Sequence, residues 1–237
     1  MYSSLVGKII ETEDKWDTAG FHKKNNVYTF LNPVSYLDAL NHKELFNQFE
    51  GIFADGSILV TAIKLIYGKT VKRWSFDMTS MARVLLEYAQ KNRKSIYIVA
   101  SKQEQVEKAV SIFMERYGGL HIIGYRNGYF ENEKEQDEEA KHIVNVNPDF
   151  LIVGMGIITQ ERFLLKVKEA GFHGVGFTCG GFIHQTARNE IDYYPDWIDR
   201  MNLRFLYRMY KEPYTRIRYL KAGFIFPVRF VWERLVG

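Results

Sequence analysis

Six short runs of β-branched and aromatic residues, separated by stretches of helical length and pattern, leave this chain very few architectures. The runs are Val27–Leu31, Ile52–Ala54, Ser95–Ala100, Leu120–Tyr125, Phe150–Met155 and Gly174–Thr178. Between them lie helical patterns over Val34–Phe46, Ser57–Tyr67, Asp77–Gln90, Lys102–Tyr117, Asn132–Asn145 and Thr159–Ala170. Phe150-Leu-Ile-Val shows no polar alternation, as expected of a strand covered on both faces. The alternation of the two patterns predicts βαβ units: an α/β, Rossmann-like fold with a mainly parallel sheet and flanking helices. Right-handed crossovers then gather the loops that follow the strands along one edge, where such sheets bind ligands. The acidic run Glu131–Glu139 reads as the opening of a helix, where the macrodipole favours carboxylates, rather than as a partner tail.

After Pro195 the character changes, which divides the chain into a body (1–195) and an appendage (196–237). From Arg200 to Gly237 there are nine cations and two anions, +7 in a chain whose net charge is +4, so the body is slightly acidic. Ile198, Met201, Phe205 and Met209 form an apolar stripe at helical spacing, with Arg200, Arg204, Arg208 and Lys211 along another face. Glu212-Pro213 ends or kinks that helix. The remainder, Tyr214–Gly237, interleaves arginines with Tyr219, Phe224, Phe226, Phe230 and Trp232. It fits a segment lying at lipid headgroups, and equally a helix docking its aromatics on the body with its cations in water. No nucleic-acid motif accompanies the basic residues, so no nucleic-acid partner is expected. Cys179 is the only cysteine, which excludes an internal disulfide and fits a reducing compartment. With no secretory leader pattern and no apolar run near the roughly 20 residues of a spanning helix, a cytoplasmic protein is expected.

Three loops carry candidate chemistry. Asp55 follows a short strand; it can face the ligand crevice as a proton acceptor, or serve as a helix cap or turn residue. Gly154-Met-Gly-Ile-Ile-Thr-Gln-Glu161 follows a strand and opens a helix. Gly154 and Gly156 can let the backbone approach a phosphate at a helix N-terminus, or simply make a turn. The dinucleotide fingerprint is incomplete, which counts against a nicotinamide-dependent oxidoreductase. Cys179-Gly-Gly-Phe-Ile-His184 offers Gly180, Gly181 and a histidine that is either an acid–base or phosphate-contacting group or a packing residue. There is no Asp-x-Asp and no His/Cys cluster, so neither a metal site nor a cofactor is expected.

Together these segments resemble glycosyltransferase family 26, the WecG/TagA/CpsF group, from about Val27 to Tyr219. The pieces that carry the resemblance are Leu31-Asn-Pro33, Ala54-Asp-Gly56, Tyr117-Gly-Gly-Leu, Gly128-Tyr-Phe130, Gly154-Met-Gly with Gln160-Glu161, Gly180-Gly181, Pro195-Asp-Trp197, Leu206-Tyr-Arg and Glu212-Pro213. The resemblance implies an inverting, metal-independent transferase. Its partners would be a nucleoside-diphosphate sugar, with UDP the expected nucleotide, and a polyprenyl-linked saccharide acceptor. A basic C-terminal appendage would bring it to the inner face of the membrane. It also implies Asp55 as catalytic base, Asn32 and Gln160 in the sugar pocket, and Arg216 and Arg218 on the nucleotide with the glycine loops. Lys72 or Arg73 matches the family arginine, although the glycine after it is missing. Thr29 stands one position before the usual threonine, where Phe30 falls, and His184 stands where the family has an aspartate. These departures surround the sugar pocket and leave the donor sugar open. A non-catalytic membrane adaptor is the other rival reading, and the amphipathic appendage also suits self-association into a homo-oligomer.

Overall fold

In a computed structural model, which describes residues 4–11, 21–22, 24–188, 197–198, 201 and 203–236, the six expected strands form one sheet. They are β1 (Val27–Leu31), β2 (Gly51–Ala54), β3 (Ser95–Ala100), β4 (His121–Arg126), β5 (Phe150–Gly154) and β6 (Val175–Thr178). The order is β2-β1-β6-β5-β3-β4 and every pair is parallel. The continuous apolar strands sit inside it: β2, β5 and β6 are buried at every residue, whereas the edge strand β4 is half-exposed. The α/β, parallel-sheet expectation holds, with strand boundaries shifted by a residue or so.

The helices are α1 (Ser4–Lys8), α2 (Pro33–Leu40), α3 (Lys43–Asn47), α4 (Ser57–Tyr67), α5 (Met81–Lys91), α6 (Gln103–Arg116), α7 (Glu133–Val146), α8 (Thr159–Glu169), α9 (Phe182–Ala187), α10 (Arg204–Lys211) and α11 (Arg216–Val236). Two expected helices are corrected. The pattern over Val34–Phe46 is split, because the ring of His42 lies 3.0 Å from the Asp38 carbonyl and takes up an acceptor that a continuing helix uses. The helix expected from Asp77 starts at Met81: Asp77 Oδ1 accepts from the Thr79 amide (2.9 Å) and hydroxyl (2.6 Å), folding a side-chain-built turn ahead of it.

The C-terminal segment is two helices joined by a 3₁₀ turn, Pro213–Thr215. Pro195, Asp196 and Arg200 lie outside the described residues. The apolar stripe expected there is not continuous, since Met201 is exposed and α10 begins only at Arg204. Pro227 sits inside α11 without ending it. Ala222, Phe226, Phe230 and Glu233, spaced to share one helix face, pack against α2 and α4. Phe230 meets the rings of Tyr36 and Tyr67 at 5.1 and 5.2 Å, and the two phenylalanines join the same apolar cluster as Leu31, Ile52 and Ile63. Glu233, almost fully buried, accepts from Tyr36 Oη and pairs with Lys43, both at 2.8 Å. The docked-aromatic reading therefore describes the inner face. The opposite face, Ile217, Leu220, Phe224, Val228, Val231, Trp232 and Leu235, is open to solvent, with Phe224 81% exposed. No helix among the described residues is long and apolar enough to cross a membrane.

Candidate active site

The loops after β1, β2, β5 and β6 open into one cleft of about 1230 Å³, roofed by α10 and the first half of α11. Asp55 is in its wall. Its carboxylate does not cap α4, whose N-cap is Gly56, so the capping alternative is set aside. Instead Asp55 Oδ1 accepts from Ser75 Oγ at 2.5 Å, and Oδ2 has no hydrogen-bond partner among the described residues. Burial pushes the Asp55 carboxyl up from the usual range and Asp77 adds to this, while Ser75, Arg204 and Arg208 pull it down. A carboxyl so placed is a better base near neutrality than a solvated one.

Asn32, also in the cleft, caps α2: its Oδ1 accepts from the amides of Val34 and Ser35, both at 3.0 Å. That fixes the side chain and leaves its amide nitrogen as the donor for a ligand.

The glycine loop serves two purposes. A side chain on Gly154 would run into Cys179 Sγ (2.6 Å) and the Gly180 carbonyl (2.9 Å), so this glycine allows two loops to touch. Gly156, at φ +83° with open space beside it, supplies a backbone turn in the cleft wall. Ile158 is held at φ +71°, costly for a β-branched residue, by its own amide donating to Glu161 Oε2 (2.6 Å). That amide is thus not one of the phosphate donors expected at this helix start. Glu161 is fully buried, and its Oε1 accepts from Thr29 Oγ1 (2.8 Å) and Gln160 Nε2 (2.9 Å). Gln160 lines the cleft while its Oε1 accepts from the Gly180 amide (3.2 Å), tying the β5 loop to the β6 loop.

From the other side come the arginines. Arg208 packs against Gly181 and donates to Glu212 Oε2 (3.2 Å); Glu212 is buried and also receives Gln185 Nε2 (3.3 Å). Tyr219 lines the cleft, bonded to Arg208 and close enough to Asp55 to feel its charge. Arg218 lines it too, paired with Asp38 at 2.7 Å. His184 faces the cleft with its pKa lowered by burial and by Arg188, Arg208 and Lys102 against an opposing pull from Glu212, which favours the neutral ring.

Of the expected site residues, Asp55, Asn32, Arg73, Gln160, His184, Gly154, Gly156, Gly180, Gly181 and Arg218 line this cleft. Three do not. Thr29 is fully buried between Glu161 and Thr178. Lys72 lies over the Trp74 ring, 5.6 Å from its centroid, so between the two adjacent cations it is Arg73 that reaches the cleft. Arg216 is exposed and donates to the Met209 carbonyl at 2.9 Å. Ser75, Asp77, Arg204, Arg208 and Tyr219 also line the cleft, and the sequence motifs do not point to them. In the sequence Arg204 shares a helix face with Arg208, and that spacing is the only signal that both look the same way.

Comparison with known proteins fits this geometry. The profile of the glycosyl transferase WecG/TagA/CpsF family matches residues 8–237. The chain belongs to this family. It is a glycosyltransferase, which sets aside the oxidoreductase and adaptor readings. Relatives of this family member include a UDP-Gal:alpha-D-GlcNAc-diphosphoundecaprenol beta-1,4-galactosyltransferase of Shigella boydii, 33% identical over 89% of this chain and 87% of that protein. An N-acetylglucosaminyldiphosphoundecaprenol N-acetyl-beta-D-mannosaminyltransferase of Bacillus subtilis is 26% identical over 82% of this chain and 75% of its own length. A Staphylococcus aureus protein of the same name is 26% identical over 85% and 78%.

Proposed function

We propose that this glycosyltransferase moves a hexose from a UDP-sugar to an acceptor sugar carried on polyprenyl diphosphate, by direct, inverting displacement without a metal. The named relatives share an N-acetylglucosaminyl-diphospho-undecaprenol acceptor, and the Shigella boydii protein names UDP-Gal, which makes these the first substrates to try. Their products are β-linked, and forming a β-linkage from an α-linked sugar nucleotide takes one displacement.

The observation that carries the reading is one cleft lined by Asp55, residues of the Gly156–Gln160 loop, and Arg73, Arg208 and Arg218. Asp55 Oδ2 takes the proton of an acceptor hydroxyl as its oxygen bonds to the anomeric carbon. The bond from that carbon to the diphosphate breaks, and UDP leaves with the electron pair. The arginines and loop amides meet the charge that develops, in a site where such groups are worth more than in water. Neutral His184 is suited to hold a sugar hydroxyl or phosphate oxygen. Asn32 and Gln160, fixed by their own hydrogen bonds, would set the sugar. The apolar outer face of α11, flanked by the exposed cations Lys221, Arg229 and Arg234, suits a peripheral position on the membrane that holds the acceptor.

The test is Asp55→Asn, assayed with UDP-galactose and the prenyl-linked acceptor in the presence of a chelator. General-base removal is worth about 10²–10⁴-fold, so turnover should fall by at least a hundredfold while UDP affinity is kept. Wild-type activity should survive the chelator. A variant with near-normal rate removes Asp55 from the mechanism, and loss of wild-type rate to the chelator removes the metal-free scheme.

A further inference from the structure

The first residue of α10 reaches behind the base. Arg204, 9% exposed, projects into the loop that runs from β2's helix to α5. Its Nη1 donates to Asp77 Oδ2 (2.8 Å) and, at the long end, to Ser75 Oγ (3.4 Å), and its Nη2 donates to Thr79 Oγ1. A guanidinium has only donors, and a hydroxyl has one proton to give. Both hydroxyls therefore take a hydrogen from Arg204 and must turn their own protons elsewhere. Each turns it onto a carboxylate: Thr79 Oγ1 onto Asp77 Oδ1 (2.6 Å) and Ser75 Oγ onto Asp55 Oδ1 (2.5 Å).

The backbone of this loop does not depend on Arg204. Trp74 donates to the Ala54 carbonyl (3.0 Å), Ser75 exchanges hydrogen bonds with Ser80 Oγ (3.0 and 2.7 Å), and Met81 donates to the Ser75 carbonyl (3.1 Å). What Arg204 contributes is the direction of two hydroxyl protons and a positive charge.

Resting on the reading of Asp55 as base, we propose that Arg204 is the positioning residue through which the C-terminal segment arms that base. By fixing Ser75 as a donor to Oδ1 and neutralising Asp77, it leaves Oδ2 as the oxygen that takes the acceptor's proton. Seating of α10 and completion of the base are then one event, linking residues 127 positions apart.

Among the described residues, the charged and titratable groups facing Asp55 are Asp77 from the loop, Arg204 and Arg208 from α10, and Tyr219 from α11. Asp77 raises the Asp55 pKa and Arg204 lowers it. Arg204→Met removes the cation and leaves the anion, so Asp55 stays protonated to higher pH. The acidic limb of kcat/KM should move up by about one pH unit, so that the rate on the acid side of the limb falls up to about tenfold. UDP affinity should stay within about twofold. In Arg204→Met/Asp77→Asn both charges are gone and the limb should return toward the wild-type position. Arg204→Lys keeps the charge but not the fork, so it should hold the limb in place and lower kcat; it serves if the methionine variant melts early. A limb that Arg204→Met leaves unmoved, or a double variant displaced as far as the single, overturns the proposal. If Asp55→Asn is inactive while the limb of Arg204→Met does not move, this inference alone fails. If Asp55→Asn is active, the base assignment beneath it fails.

Discussion

Thr29 shows how a side chain expected to touch sugar becomes a strut. Along β1 successive side chains alternate faces; Phe30 and Asn32 share a phase and both line the cleft, while Thr29 is out of phase with them. That much was readable from strand parity alone. Its partner was not, because Glu161 lies 132 residues away and looks, in sequence, like an ordinary acidic first-turn residue of α8. Thr29→Val removes one donor to a buried carboxylate, and Glu161→Gln puts an amide hydrogen where Ile158 already points one. Each should cost about 1–3 kcal/mol, a fall in Tm of roughly 2–10 °C for a chain this size. For Thr29→Val, KM for the donor should not change; a raised KM with unaltered melting would return Thr29 to the sugar pocket. Burial holds the Glu161 pKa above its ordinary value. For an acid with a raised folded-state pKa, its contribution to stability is present at low pH and fades as pH rises through that pKa. The wild type should therefore lose part of the stability difference between itself and Glu161→Gln as pH climbs from the ordinary glutamate range. A difference that grows over that interval would mean the hydrogen bonds of the ionised form outweigh its burial.

The strands of the body were legible because a covered strand leaves a continuous apolar run, which few other elements imitate. The C-terminal helix was not, and the reason is physical: α11 is apolar on two opposite faces. Ala222, Phe226 and Phe230 repeat at four-residue steps toward α2 and α4, while Phe224, Val228 and Trp232 repeat at the same step away from them. Superposed in sequence, the two stripes blur each other's periodicity, and Pro227 adds a false stop. Proline has no amide hydrogen to give, so the Gly223 carbonyl lacks its usual intrahelical donor, and both residues line the cleft. The two faces should separate on mutation. Phe230→Ala opens a cavity in the core and should cost about 3–5 kcal/mol. Phe224→Ala with Trp232→Ala should leave the melting temperature almost unchanged, because Phe224 and Trp232 are 81% and 63% exposed, yet lower binding to lipid vesicles about tenfold or more. Equal vesicle binding by this double variant, with a change in oligomeric state instead, would assign the outer face to a second copy of the chain.

At the scale of the molecule, the single ligand-binding edge followed from the βαβ pattern, but the closure of the C-terminal segment over that edge did not. It depends on pairs such as Arg204 with Asp77 and Glu233 with Tyr36, 127 and 197 residues apart, and nothing in local pattern tells a cation bound for solvent from one bound for a buried acid. The excess of +7 from Arg200 onward is consequently shared between two tasks. Arg204 and Arg208 turn inward to acids of the site, whereas Lys211, Lys221, Arg229 and Arg234 remain exposed. A cation near an anionic membrane surface is worth about 1 kcal/mol, so two or three engaged at once would strengthen binding roughly 30- to 150-fold. Moving from neutral vesicles to vesicles rich in anionic lipid, at fixed ionic strength, should therefore lower KM for an embedded prenyl-linked acceptor by a factor of that order. The affinity for UDP, whose cations face the cleft, should not respond to vesicle composition. Lys221→Gln/Arg229→Gln should flatten the lipid dependence and spare turnover of a water-soluble acceptor analogue. If acceptor KM ignores lipid charge, the outward cations have no part in reaching the substrate, and the apolar face of α11 alone must bring the cleft to the membrane.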